Sequence, residues 1–113
     1  MSRQLLKLCL IGVLASLLLG CAITKPSPLR PDIQSYLDQA QRLFNEGFYK
    51  RARSLLMPLA CDGVPQAQYV LGYLYYYGYG VTQDTDVGYF WIKRAADQNY
   101  EPAKQALKMI SNH

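Results

Sequence analysis

Few residues of this chain could perform catalytic chemistry. The one histidine, His113, stands at the last position, where fraying is expected. Without an imidazole in the same stretch, neither Cys61 nor Ser54 has a base to activate it. Asp84 and Asp86 stand two residues apart at the start of a predicted helix, for which Thr82 or Asp84 is the expected N-cap, so helix capping is favoured over metal binding. Since no phosphate loop, zinc-ligand pairs or calcium loop is present either, the sequence predicts a protein that is not an enzyme and has no metal site.

The amino-terminal segment predicts secretion. Arg3 and Lys7 precede a nearly continuous apolar run over residues 8–19, which ends at the small residue Gly20. The run is short for a membrane span and ends in a processing site rather than in stop-transfer charges. We therefore interpret residues 1–20 as a signal peptide.

Cys21 stands where covalent modification is expected. The stretch LLGC at residues 18–21 resembles the lipobox of bacterial lipoproteins, although the residue at Leu19 is usually smaller in that family. The resemblance implies cleavage before Cys21, a diacylglycerol on its sulfur and acyl chains such as palmitate on the new amino terminus. This covalent lipid would be the chain's only cofactor. The alternative is an uncleaved anchor in which Cys21 is an ordinary residue.

The residue after the lipobox bears on localisation. Ala22, rather than Asp, follows Cys21, which by the family's sorting rule implies the outer membrane of a Gram-negative envelope, facing the periplasm. Two or three acyl chains hold a protein firmly on a bilayer, whereas one does not.

The basic balance of the chain does not indicate nucleic-acid binding. The formal net charge is +4, and Arg3 and Lys7 would leave with the signal peptide, so the mature chain carries about +2. Lys50, Arg51 and Arg53 form a local basic cluster, which we interpret as a solvated helix face.

The remaining cysteine is unpaired. The chain has three cysteines, of which Cys9 lies in the predicted signal peptide and Cys21 in the lipobox. Cys61 is then alone in an oxidising compartment, so no disulfide can form within the chain. We expect Cys61 to be buried and inert; the alternative is a redox-active thiol.

A tether precedes the folded part. Residues 22–31, AITKPSPLRP, contain three prolines and no periodic apolar pattern. In an extended polyproline geometry they would span roughly 30 Å. With the lipidated Cys21 they form a predicted tether over residues 21–31, and residues 32–113 form the repeat domain.

The repeat domain is predicted to be helical throughout. Apolar residues recur at three- and four-residue spacing in five segments. Asp32 is the expected N-cap of the first segment, and Gly47 and Gly63 are expected to end the first two. Pro58 lies inside the second segment and predicts a kink or break near Met57.

The segments repeat along the chain. A shift of 36 residues places Gly63 on Asn99, the next most favourable residue for a left-handed helix end. The same shift places small residues on small residues and a leucine on a leucine: Ala60 on Ala96, Ala67 on Ala103 and Leu71 on Leu107. Two helices per period of this length predict an α/α solenoid.

Residues 65–100 resemble a Sel1-like repeat, a relative of the tetratricopeptide repeats. The residues that carry the resemblance are Ala67, Leu71, Gly72, Tyr75, Gly78, Gly80, Val81, Asp84, Trp91, Ala95, Ala96 and Ala103. The resemblance implies an all-α fold, a short solenoid of about two and a half helical hairpins with roughly five helices. Residues 33–64 resemble a degenerate unit and residues 101–112 open a third. Gly88 stands where the family usually has alanine, which predicts a helix weaker by roughly 1 kcal/mol.

The tyrosines of the repeat divide into two sets. Tyr75 shares the core face of its helix with Leu71, whereas Tyr69, Tyr73 and Tyr76 fall on the opposite side. Two interpretations remain open for the second set: packing between repeats, or a strip that binds a partner. The complete candidate strip is Tyr69, Tyr73, Tyr76, Tyr77, Tyr79 and Tyr89.

These features predict a lipid-anchored periplasmic adaptor that binds another protein. Assembly or scaffolding of an envelope complex, such as a pilus, a secretion system or a polysaccharide exporter, is the function that we expect. The alternatives are an immunity protein that neutralises an antibacterial effector and a structural accessory subunit. Since so few repeats bury a small core, self-association into a homo-oligomer would also stabilise the fold.

Cys21→Ser tests the lipoprotein prediction. We expect the variant to lack acyl chains and to remain uncleaved or to leave the membrane, because the thiol is the acceptor of the lipid. Intact-mass spectrometry of membrane and soluble fractions measures this, with Cys61→Ser as the matched control. A membrane-attached Cys21→Ser variant with the normal mature mass would contradict the prediction.

Overall fold

The computed structural model describes residues 31–113, and this part of the chain is all-α. Its helices are α1 (Pro31–Asn45), α2 (Tyr49–Cys61), α3 (Pro65–Tyr77), α4 (Thr85–Asp97) and α5 (Glu101–Ser111). The predicted signal peptide and residues 21–30 of the predicted tether, which include Cys21, lie outside the described residues. None of the five helices is long and apolar enough to cross a membrane. The predicted short α/α solenoid of five helices is confirmed.

Each helix packs against the next one in the chain, and α3 and α4 form the most extensive of these contacts. The residues form two neighbouring cores. The first is built by α1, α2 and α3 around the buried residues Ala40, Ala52, Leu56, Leu59, Ala60, Val64, Ala67, Leu71 and Leu74. The second is built by α4 and α5 around Ile92, Ala95, Ala103 and Ala106. Alanine predominates where helices meet, so the backbones approach closely.

The carboxyl-terminal ends of α2 and α4 have the same geometry, 36 residues apart. Gly63 and Asn99 both have positive φ, +94° and +62° respectively. The Gly63 N–H donates to the carbonyl of Ala60 (3.1 Å), and the Asn99 N–H donates to that of Ala96 (2.9 Å). The following N–H groups, of Val64 and Tyr100, each reach the carbonyl five residues back. Both ends are therefore Schellman motifs, as the match of Gly63 with Asn99 predicts.

The contact between α3 and α4 depends on two glycines. A Cβ added to Gly72 would lie 2.7 Å from Cγ1 of Ile92 and 2.8 Å from the carbonyl oxygen of Gly88. A Cβ on Gly88 would lie 2.7 Å from the backbone N and Cα of Tyr76. The sequence explains Gly88 only as a poor helix former, whereas the structure shows that its missing side chain lets the two helices touch.

The sequence is correct about one cap and wrong about another. Oδ1 of Asp84 accepts hydrogen bonds from the N–H groups of Asp86 and Val87, both at 3.1 Å, so Asp84 is the N-cap of α4. By contrast, α1 begins at Pro31, and Asp32 lies in its first turn rather than at the cap. An acidic residue there still interacts favourably with the helix dipole.

The alternative of a break in α2 and the expected burial of Cys61 are also wrong. The helix continues past Met57 and through Pro58 to Cys61. Proline has no N–H, so the carbonyl of Ser54, four residues before Pro58, has no helical donor. Pro58 and Ser54 are both exposed, so this carbonyl is on the solvent side of the helix. Cys61 is exposed, not buried, because it ends the helix one position beyond the core residues Leu59 and Ala60.

Gly88→Ala distinguishes helix propensity from packing. Propensity alone predicts a gain in stability of about 1 kcal/mol, because alanine favours the helix. The close contact with the Tyr76 backbone predicts the opposite sign, a free energy of unfolding lower by about 1–3 kcal/mol. Urea denaturation followed by the fluorescence of Trp91, the single tryptophan, measures the difference.

The matched control for Gly88→Ala is Gln39→Ala on the exposed face of α1. This change should alter the free energy of unfolding by no more than about 0.5 kcal/mol. A Gly88→Ala variant that is as stable as the original chain, or more stable, would contradict the role assigned to the glycine contact.

Leu71→Ala tests the assignment of the core. The Leu71 side chain is completely buried in the first core, so truncation leaves a cavity. We expect the free energy of unfolding to fall by about 2–5 kcal/mol. An unchanged thermal melting curve, followed by circular dichroism, would show that the core face of α3 is assigned incorrectly.

Candidate functional site

The first, third and fifth helices together line a groove that has α3 along its middle. On one flank, Tyr69, Tyr73, Tyr76 and Tyr77 of α3 face Ala106, Met109 and Ile110 of α5 across a space of about 210 Å³. On the other flank, Tyr69, Val70 and Tyr73 face Gln41 and Phe44 of α1 across about 180 Å³. We call this surface, which is lined mainly by α1, α3 and α5 and also by Ile92 of α4 and by His113, the tyrosine groove.

The amino-terminal end of the groove is more polar. A further depression lies between α1 and α3, where Gln34, Asp38 and Gln66 come together beside Val70 and Tyr100. Oε1 of Gln66 is buried there and has no hydrogen-bond partner among the described residues. Nε2 of Gln34 donates to Oδ1 of Asp38 at 2.9 Å, which leaves the second oxygen of that carboxylate accessible.

The rings of the groove contact one another. Tyr73 lies 4.6 Å from Tyr77 and 5.8 Å from Phe44 between ring centroids, and Tyr76 lies 5.1 Å from Tyr77. Tyr69 packs against Tyr100 at 5.8 Å. Aromatic pairs of this kind contribute about 0.5–1.5 kcal/mol beyond their burial, so the rings hold one another in place.

Tyr79 joins the same network from the loop after α3. Its ring stacks on Tyr49 at a centroid distance of 4.9 Å and lies 6.0 Å from both Tyr73 and Tyr77. Tyr89 does not join it: this residue is exposed on α4 and is not among those that line the groove. The structure thus brings together five of the six tyrosines of the candidate strip.

The tyrosine rings differ in burial and in what they pack against. Tyr69 is half-buried and packs against the second core, as inter-repeat packing requires. Tyr75, expected in the core, is half-buried against the first core. Tyr77 keeps 52% of its surface exposed and Tyr79 keeps 38%, although both lie within the ring network. The groove therefore has a packed base and an exposed aromatic edge.

The tyrosine hydroxyls are hydrogen-bond donors. Burial raises the pKa of Tyr69 above its usual value, with smaller contributions from Tyr100 and Tyr77. Burial likewise raises the pKa of Tyr73, followed by the effect of Tyr77 and other neighbouring tyrosines. Both phenols are therefore protonated well beyond neutral pH.

The groove has little charge. Among the described residues that line its three depressions there is no lysine or arginine, and Asp38 is the one carboxylate side chain. The basic residues Lys50 and Arg51 are exposed on α2 and lie elsewhere. Residues 31–113 contain no cluster of side chains that could hold a metal ion.

The residues predicted to form the structural framework of the repeat lie in its cores or in the turn between α3 and α4. The side chains of Ala67, Leu71, Ala95 and Ala103 are completely buried, and Gly72 is buried too. Trp91 and Ala96 are half-buried against the two cores. Gly78 and Gly80, with φ of +74° and +68°, form the turn between α3 and α4.

Sequence reasoning missed Gln68, which is the most deeply buried polar residue described. It is 1% exposed; its Nε2 donates to the Ala60 carbonyl (3.1 Å), and its Oε1 accepts from Nε2 of Gln98 (2.8 Å). The residue thereby links the ends of α2 and α4 to α3. Its position three residues before Leu71 and four before Gly72, on the core face, was the signal that could have found it.

Comparison with known proteins agrees with this geometry. Residues 65–100 match the sequence model of the family described as Sel1 repeat. A curated relative, chitin synthase regulatory factor 3 of Schizosaccharomyces pombe (strain 972 / ATCC 24843), is 39% identical over 49 residues, which cover 43% of this chain and 5% of the relative. The chain thus spans a small fraction of the length of that relative.

No solved structure gives a significant match to the chain. The match over residues 65–100 covers α3, the glycine turn and α4, which are the elements that position the tyrosines. Residues 65–100 therefore match a Sel1 repeat, a type of helical repeat that generally mediates protein–protein interaction.

Proposed function

We propose that this chain is a lipid-anchored adaptor of the periplasm, which holds a segment of a partner protein in the tyrosine groove. Its mechanism is placement: acyl chains on Cys21 attach it to the outer membrane, the proline-containing tether sets its distance from the bilayer, and the repeat binds the partner. The predicted signal peptide and lipobox support the location, and the Sel1 repeat supports the binding role.

The exposed edge of the ring network is the observation that carries the proposal. Tyr77, Tyr79 and Met109 keep 52%, 38% and 64% of their surfaces exposed. Tyr77 and Met109 line one flank of the groove, and Tyr79 contacts Tyr77. An aromatic patch of this kind is typical of protein-interaction sites, in which tyrosine supplies a large contact area at a small cost in side-chain entropy.

The dimensions of the groove favour a peptide segment over a small molecule. Its two aromatic flanks have volumes of about 210 Å³ and 180 Å³. Each flank alone is smaller than an enclosed site for a small molecule, which usually has about 300–1,000 Å³. Shallow, connected depressions along a helix instead suit side chains that project from an extended chain.

Within the envelope, we propose that the partner belongs to an assembled complex, such as a pilus, a secretion system or a polysaccharide exporter. A scaffold of this kind needs a fixed position on the membrane and a binding site, which a tether and a groove would together supply. A relative whose printed description is that of a regulatory factor is consistent with a non-catalytic role.

Site-specific photocrosslinking tests the proposed function. A benzophenone side chain at Tyr77 of the full-length protein in living cells should give a discrete crosslinked partner, because this ring is on the exposed edge of the groove. The same probe at Tyr89, a tyrosine outside the groove that keeps 43% of its surface exposed, should give none. Mass spectrometry identifies the adduct.

The identity of the adduct distinguishes the functions. Subunits of a pilus, secretion or export complex would support the assembly role. A single toxin-like or lipase-like enzyme would instead show an immunity protein. Adducts with a second copy of the chain alone would contradict the adaptor role and indicate a structural subunit.

The double variant Tyr73→Ala/Tyr76→Ala tests whether the rings serve binding more than folding. We expect partner capture to fall at least tenfold, equivalent to about 1.4 kcal/mol, because the rings next to the exposed edge are removed. Tyr89→Ala is the matched control. If the double variant loses stability to the same extent as it loses capture, the rings serve packing.

A further inference from the structure

The chemistry of the tyrosine groove also indicates which kind of segment it binds. Resting on the proposed function, we propose that the partner segment is a proline-rich stretch in the polyproline II conformation, with a basic residue beside Asp38. Charge, hydrogen-bonding capacity and the spacing of the rings each lead to this assignment.

The secondary structure of the site excludes one common mode of peptide binding. A partner strand adds to a protein by pairing with the exposed edge of a sheet. Residues 31–113 contain helices and turns but no strand, so the described part of the chain offers no such edge. The groove has to bind its ligand through side chains.

Side-chain hydrogen bonding favours a ligand that has free carbonyl groups. A polyproline II helix makes no internal hydrogen bonds, and its prolines lack N–H groups, so its carbonyls require external donors. The protonated hydroxyls of Tyr69 and Tyr73 are such donors, and Gln34 and Gln41 each have an amide N–H beyond the one used within α1. A helical ligand could meet these donors only through its side chains, because most of its backbone carbonyls are already bonded.

The spacing of the rings suits the same ligand. Tyr69, Tyr73 and Tyr77 follow one another at four-residue intervals on α3, so their points of attachment rise by about 6.0 Å per step. Polyproline II rises about 3.1 Å per residue and has three residues per turn, so about four residues span the roughly 12 Å from Tyr69 to Tyr77. Two of every three residues can face the row of rings, so a segment with prolines at those positions can lie along it.

The charge of the groove determines what flanks the prolines. Asp38 is its one carboxylate side chain, and no lysine or arginine is among the described residues that line the groove, so an acidic segment would find no fixed positive charge there. The Asp38 side chain is exposed in its depression, and its carboxylate can accept further N–H donors beside the one from Gln34. An arginine or lysine supplies both the positive charge and the N–H donors.

The distance between the two ends fixes the length of the segment. From Gln66, beside Asp38, to Tyr77 is eleven residues of α3, or about 16 Å along the helix axis. About five residues of polyproline II cover this distance. The expected ligand thus has a basic residue roughly five positions from its last bound proline.

Fluorescence anisotropy with the full-length protein in detergent micelles tests this proposal. The probe is a fluorescein-labelled peptide, Arg-Ala-Pro-Pro-Leu-Pro-Pro-Leu-Pro. One control peptide has every proline replaced by glycine, and the other has the arginine replaced by glutamate. We expect both controls to bind more weakly, the glycine peptide by at least tenfold, because it loses the preformed extended conformation.

Variants of the protein locate the bound peptide. Tyr77→Ala should weaken binding of the proline peptide at least tenfold, whereas Tyr89→Ala should not change it. Asp38→Asn should remove the preference for arginine over glutamate, and Asp32→Asn, an exposed residue of α1 outside the groove, is its control. Melting curves confirm that each variant is folded.

Equal binding of the proline and glycine peptides, tighter binding of the glutamate peptide, or no binding of any of them would overturn the proposal. If the Tyr77 photocrosslinker still captures a partner in those cases, the adaptor function stands and only the class of ligand is wrong. If no partner is captured and no peptide binds, both proposals fail.

Discussion

The close contact between α3 and α4 is the constraint on which the rest of the structure depends. Gly72 and Gly88 remove the side chains that would otherwise separate the helices, and the backbone of Tyr76 lies directly against Gly88. This contact fixes how α3 is rotated about its own axis. Once Leu71 and Leu74 are buried on one side, Tyr69, Tyr73 and Tyr77 of α3 emerge towards α1 and α5. The tyrosine groove is therefore a consequence of helix packing.

Two smaller features complete the placement of the rings. A Cβ added to Gly80 would lie 2.7 Å from the Cβ of Tyr49, so the two residues are in close contact. This contact brings the ring of the loop residue Tyr79 onto the ring of Tyr49. Gln68 joins α3 to the ends of α2 and α4 by hydrogen bonds through its buried amide. A buried amide with both bonds satisfied favours one arrangement of the helices over others, because a shift of any of them would leave a polar group unpaired.

The sequence predicts the fold well where local signals and the repeat agree. The match of Gly63 with Asn99, the Asp84 cap and the buried alanines each follow from short-range patterns that the structure confirms. It fails where the outcome depends on which side of a helix faces a neighbour. Cysteine is a residue type that is often buried, but Cys61 lies one position beyond the buried face of its helix. Gly88 is recognised as a contact residue only once the structure places the Tyr76 backbone against it. The sequence predicts which tyrosines could form the candidate strip. It does not predict that Tyr89 lies outside the groove or that Asp38 and Gln66 share a polar depression, because both facts depend on how the helices pack in three dimensions.

The central claim is that a partner occupies the groove formed by alternate helices, and hydrogen–deuterium exchange of the full-length protein tests it most directly. The protein is compared alone and in complex with the partner that it captures from envelopes. The account predicts new protection in α1, α3 and α5, where the groove is lined, and unchanged exchange in the exposed parts of α2 and α4. Protection confined to α2 and α4, with α3 and α5 unchanged, would contradict it.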